Sequence, residues 1–253
     1  MKTKMIAVLL FAAALGKAVH GAPLLELNDP STYRALYYLP PAKDSGPLPL
    51  LLYLHGAGES GNDVRGLISE GATGTPPVEL EHGTALPVLA RKFLVVAPQT
   101  DHGWDPDEVV RFLSFLQSKR SGLPAIDPRR CYITGHSMGG GGALLAAAST
   151  PHHFAAVVPV APSGAPRTAQ IMGVPVWAFH GKNDVIVPSS ISESLVSRLK
   201  ANGATEAKCR LTLYDHAPAP KGWPDYDGHG SPMLAYASAE LFRWLLEQRL
   251  DLE

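Results

Sequence analysis

From about residue 24 onward, short β-rich runs alternate with stretches of helical period, and this alternation restricts the folds open to the chain more than any other feature. The candidate strands are Tyr33 to Leu39, Pro49 to Leu54, Phe93 to Ala97, Cys131 to Thr134, Ala156 to Val160, Val174 to Phe179 and Cys209 to Tyr214. Most of the later runs are continuously apolar rather than alternating, as expected of strands covered on both faces. Between them, Pro106 opens a helix with Val109, Phe112, Leu113 and Leu116 at core spacing and Gly122 at its close. Ser190 and Glu193 suggest a capping box for a second helix, with Ile191, Leu195 and Leu199 as its stripe. Ser231-Pro232 starts a last one carrying Leu234, Ala237, Leu241, Trp244 and Leu245. The expected architecture is α/β, a mostly parallel sheet with helices on both faces, formed by residues 22–253 as one domain. The segment from Glu59 to Arg91 is rich in Gly, Pro and charge, so it is expected to cross the sheet edge irregularly, with at most a short helix.

The first 21 residues have another character. Lys2 and Lys4 precede an apolar run from Met5 to Gly16, and Val19-His20-Gly21 offers small residues for cleavage, the pattern of an export signal. The expected location is therefore secreted or periplasmic. That run is short for a membrane span, and no later segment has the length and apolar continuity of one. A formal charge of −1 supplies no basic face for nucleic acid, so small or polymer-linked substrates are the expected partners.

Chemistry concentrates at Gly135-His136-Ser137-Met138-Gly139, between a strand and a helix-like run from Ala143 to Ala148. A serine on such a sharp turn is pushed into the open near a helix N-terminus, where developing negative charge is favoured. It needs a base, and a carboxylate to orient that base, in the chain order Ser, acid, His. Asp184 follows the strand that ends at His180-Gly181 and stands where ligands of open α/β sheets bind. His229, between two glycines before the last helix, is the preferred base over His216, and His180 is discounted because it precedes the acid. Asp215, Asp225 and Asp227 are runner-up acids. Donors for an oxyanion are expected from the backbone of Met138 and of Ala57, in His55-Gly56-Ala57-Gly58, with Gly58 as the alternative. His55 itself reads as structural. Gly58, Trp104 and His136 are the candidate substrate contacts. No cofactor is required, and the adjacent pair His152-His153 lacks the spacing of a metal site.

Taken together, His55 to Asp63, Val95-Val96-Ala97-Pro98-Gln99 with Trp104, Ile126-Asp127-Pro128-Arg129-Arg130 leading to the serine turn, Phe154-Ala155-Ala156 and Trp177 to Asp184 resemble the α/β-hydrolases. The likeness is to the phospholipase/carboxylesterase and dienelactone-hydrolase-like branch, in particular its exported peptidase-like and polyester- or feruloyl-esterase-like members. It implies an α/β-hydrolase fold without a large lid domain, a serine hydrolase acting on carboxylic esters, and Ser137, Asp184 and His229 as the triad. The same triad on a peptidase or amidase, or a catalytically silent binding protein on the scaffold, are the alternatives. The resemblance also orders the strands. Two would separate those of Cys131 and Cys209, placing the thiols roughly 14 Å apart, beyond the reach of about 7 Å that a disulfide allows.

Overall fold

The computed structural model describes residues 23–41 and 46–251, so the export signal read at 1–21 lies outside the described residues. Eight strands form one sheet: β1 (Leu25–Leu27), β2 (Ala35–Tyr38), β3 (Leu48–Leu54), β4 (Leu94–Pro98), β5 (Ile126–His136), β6 (Ala156–Val160), β7 (Val176–Gly181) and β8 (Cys209–Tyr214). Their order is β1-β2-β4-β3-β5-β6-β7-β8. The pairs β1–β2 and β2–β4 are antiparallel, and every other pair is parallel. Eight helices accompany them among the described residues: α1 (Pro76–Glu81), α2 (Pro87–Lys92), α3 (Pro106–Gln117), α4 (Met138–Ser149), α5 (Thr168–Ile171), α6 (Ser190–Ala201), α7 (Pro232–Ala235) and α8 (Ala239–Glu247).

Alternate residues of each strand enter opposite cores. Leu50, Leu52 and Leu54 of β3 join Cys131 and Ile133 of β5 and Val176 and Ala178 of β7 against α3, α4 and α6. Leu51 and Tyr53, Tyr132, and Trp177 with Phe179 turn the other way and meet α1, α2 and α8. Because both faces are buried, β-period alternation survives in space although the sequence shows only continuous apolar runs.

Several expectations need correction. The span from Glu59 to Arg91 contains two short helices, α1 and α2, together with 3-10 turns at Ala57–Glu59, Val64–Ile68 and Glu70–Ala72. The last helix is two, α7 and α8, because the Ser238 side chain accepts a hydrogen bond from Leu241 N and caps a new start. The Ser190–Glu193 capping box does not form; Ser189 Oγ instead donates to Glu193 Oε1 at 2.8 Å. Cys131 and Cys209, by contrast, are as expected: free and buried, with β6 and β7 between their strands.

For function, the important outcome is that β3, β5 and β7 run parallel. Their carboxyl ends bring the segment after Leu54, the turn at Ser137 and the turn at Asp184 to one edge of the sheet, with the segment following β8 beside them.

Candidate active site

Ser137 joins β5 to α4 with φ 55° and ψ −117°, a backbone conformation costly for a residue bearing a Cβ. The surroundings hold it there. Its N–H donates to Val160 O at 2.9 Å, and its carbonyl accepts from Gly141 N at 3.1 Å and Ser163 N at 3.0 Å. α4 begins so close to the end of β3 that a Cβ on Gly139 would collide with Leu54 O, so only glycine lets the helix start at this depth.

Asp184 lies in the turn after β7 with its side chain fully buried. Its Oδ1 accepts from the backbone N–H groups of Ile186 and Val187, both at 2.9 Å, while Oδ2 accepts from His229 Nδ1 at 2.8 Å. The far ring nitrogen, His229 Nε2, stands 3.0 Å from Ser137 Oγ. A hydroxyl, an imidazole and a carboxylate thus form one hydrogen-bonded row. Burial alone would raise the Asp184 carboxyl, but hydrogen bonds from His180, His229 and the Val187 N–H outweigh it and hold the group well below the usual carboxylate range.

Asn183 buckles the acid turn to the base loop. Its Oδ1 accepts from Ala217 N at 2.8 Å, and its amide donates to Ala217 O and to Asp227 Oδ2, each at 3.0 Å. Val185 N adds a bond to Asp227 O at 3.1 Å. The loop crosses the turn so tightly that a Cβ on Gly228, φ +80°, would collide with the Asn183–Asp184 peptide. The glycine flanking His229 therefore serves close approach as well as chain reversal.

The rival residues are accounted for elsewhere. His216 is exposed, with its Nδ1 3.0 Å from Asn183 Nδ2; Asp215 pairs with Lys182 on the surface; Asp225 is exposed. His55 is buried, with Nδ1 against Gly56 O at 2.6 Å and Nε2 accepting from Thr100 N at 3.1 Å, and burial pushes its ring down to about 4. The backbone N–H groups of Ala57, Gly58 and Met138 have no backbone acceptor among the described residues.

A PETase (PET hydrolase-like) family model matches residues 105–217, a stretch that holds Ser137 and Asp184 and stops short of His229. Among solved structures, a thermostable esterase is 29% identical over 89% of this chain, with a TM-score of 0.68. This chain spans 62% of that one. A Klebsiella pneumoniae protein assigned as a dienelactone hydrolase superposes with a TM-score of 0.61 at 18% identity, covering 88% of this chain and 98% of its own. The chain has the α/β-hydrolase fold. Its likenesses fall in the carboxylesterase and dienelactone-hydrolase-like branch. An acylaminoacyl peptidase from Pyrococcus horikoshii shares the fold at 14% identity, with a TM-score of 0.57 over 91% of this chain and 42% of its own. No curated protein matches by sequence.

Two residues expected to contact substrate also have defined packing partners. Trp104 packs under the site: its indole N–H donates to His55 O at 3.0 Å, and its ring lies edge-on to Tyr33 and His55. His136 donates from Nε2 to His229 O at 2.9 Å and lies 4.6 Å from the His229 ring, so it braces the base. Burial, then the charge of His229, pushes the His136 ring down to about 3.

Sequence reasoning gave no role to Glu59. A Cβ built on Gly56 would meet Glu59 Oε2 at 3.2 Å and His136 Nδ1 at 3.4 Å, so this carboxyl and the ring that braces the base flank the same glycine. Burial raises it from an ordinary 4.5 to about 7, against the lowering effects of the Gly56 and Glu59 N–H groups and of His229. Between those values the unfolded chain is ionised while the fold keeps its proton. The associated stability is fully present below about 4.5, declines as pH rises, and is lost above about 7. Glu59→Gln should therefore melt above the wild type at pH 8 and lose that advantage at pH 4 in calorimetry. A variant destabilised equally at both pH values would contradict the assignment.

Proposed function

We propose that the chain is an exported serine hydrolase that cleaves carboxylic esters through an acyl-enzyme intermediate. The observation that carries this reading is the row Ser137 Oγ, His229 Nε2, His229 Nδ1, Asp184 Oδ2, with spacings of 3.0 and 2.8 Å across its two hydrogen bonds. As Ser137 Oγ attacks the ester carbon, its proton passes to His229 Nε2 and the carbonyl electron pair moves onto oxygen. The negatively charged oxygen is met by the Met138 N–H and by that of Ala57, with Gly58 as the alternative. Collapse of the tetrahedral intermediate expels the alcohol, which takes the proton back from His229. Water then repeats the sequence: His229 removes its proton, the acid product leaves, and Ser137 regains its hydrogen. Asp184 stabilises the imidazolium throughout without taking the proton.

The apolar rim supports an apolar ester. Of five large hydrophobic side chains exposed among the described residues, Val185, Ile186 and Trp223 lie on the segments that carry Asp184 and His229. Trp223 and Tyr226 stand edge-on at 5.1 Å, and Tyr226 lies 6.3 Å from the His229 ring. Apolar exposure concentrated beside reactive groups favours small or polymer-linked esters with alkyl or aryl parts. The test compares p-nitrophenyl esters of increasing acyl length and aryl esters with peptide anilides. Esters should turn over with the higher kcat/KM; faster cleavage of the anilides would make the chain a peptidase.

A further inference from the structure

We propose that His180 is a positioning residue for the acid, a second imidazole that shares Asp184 with His229 and limits how strongly the carboxylate holds a proton on His229. The inference rests on the triad reading above and concerns a residue that the chain order excludes as the base.

His180 lies in β7 and is wholly buried. Its Nε2 is 3.0 Å from Val187 O and 3.4 Å from Asp184 Oδ2. Both oxygens accept, so Nε2 carries a hydrogen, directed first at Val187 and shared at longer range with Asp184. Nδ1 lies 2.8 Å from Ser192 Oγ on α6, a hydroxyl that is itself buried and has no other partner among the described residues. That hydroxyl donates to Nδ1, which fixes the tautomer and the ring orientation. A core histidine that only needed satisfying would be complete with Ser192 and Val187. Here the same N–H also faces the oxygen that serves His229.

Asp184 Oδ1 is occupied by two backbone donors, leaving Oδ2 between the two imidazoles. Each donor that Oδ2 accepts lowers its remaining pull on the other. Removing the His180 donor should strengthen the hold of Asp184 on the His229 imidazolium and move the acid limb of kcat/KM to higher pH. The other titratable groups facing His229 are His136, at the end of β5, Glu59, in the turn after β3, and Tyr226, 6.3 Å away in the loop that carries His229.

The experiment measures kcat/KM against pH for wild type, His180→Leu, His180→Gln and Ser192→Ala, with each preparation normalised to active sites by fluorophosphonate titration. In His180→Leu the acid limb should rise by up to about one pH unit, the worth of a full hydrogen bond to a charged group being the upper bound for a donor at 3.4 Å. Glutamine, which restores an N–H, should return it most of the way. Ser192→Ala should shift it in the same direction by less, and this keeps the test open should the leucine variant fail to fold. Acid limbs that coincide with wild type in Ser192→Ala and in whichever His180 variants fold would overturn the proposal. Ser137→Ala, assayed alongside, separates the two readings: if it still turns over ester, the triad itself is wrong whatever His180 does.

Discussion

Ser137→Ala is expected to lower kcat for ester hydrolysis by about a million-fold, leaving only what binding and oxyanion donors supply. The variant keeps a Cβ and every backbone bond that tethers the turn, namely those to Val160, Gly141 and Ser163. Its thermal unfolding should therefore match the wild type while its turnover disappears. Residual activity within a factor of ten of wild type would mean that another group attacks the ester.

Asp184→Asn should cost about ten-thousand-fold in kcat. The reason is specific to this turn. The Ile186 and Val187 N–H groups require an acceptor at the Oδ1 position, so the amide oxygen must stay there and the NH2 must face His229. His229 Nδ1 is then forced to accept, its hydrogen moves to Nε2, and Nε2 can no longer take the Ser137 proton. The measurement is kcat on a p-nitrophenyl ester with folding checked by circular dichroism. A loss below tenfold would contradict this account of the row.

Both predictions involve residues that the sequence identified by type and order, and their local signals explain why. Ser137 is marked by a strand, tight glycines and a helix in succession, and Asp184 by its place just past a strand end. His229 was harder, since only its flanking glycines and its place before the last helix distinguish it from His216. The bonds that set it in place run through Asn183 to Ala217 and Asp227, contacts between segments about forty residues apart.

Strands buried on both faces were equally legible, and β6 has the bounds that its apolar run implies; the half-buried edge strand β8 also keeps its expected bounds. β1 was not, because three half-exposed residues carry no pattern, and β5 runs back to Ile126 because that residue pairs with Leu48 across an irregular register. The break between α7 and α8 was hidden by apolar positions that continue at helical spacing through it. The packing partners of Trp104 and His136 were not legible in the sequence, because only tertiary structure shows each N–H committed to a neighbouring carbonyl. His180 was passed over because chain order asks which histidine can be the base, not which one stands behind the acid.

The most direct test of the central claim is to treat the mature protein with a fluorophosphonate and locate the adduct by mass spectrometry. The geometry predicts one adduct per chain, on Ser137, formed rapidly in the wild type and lost in His229→Ala. A folded, ester-active protein that remains unlabelled, or that carries the phosphonate on another residue, would contradict it.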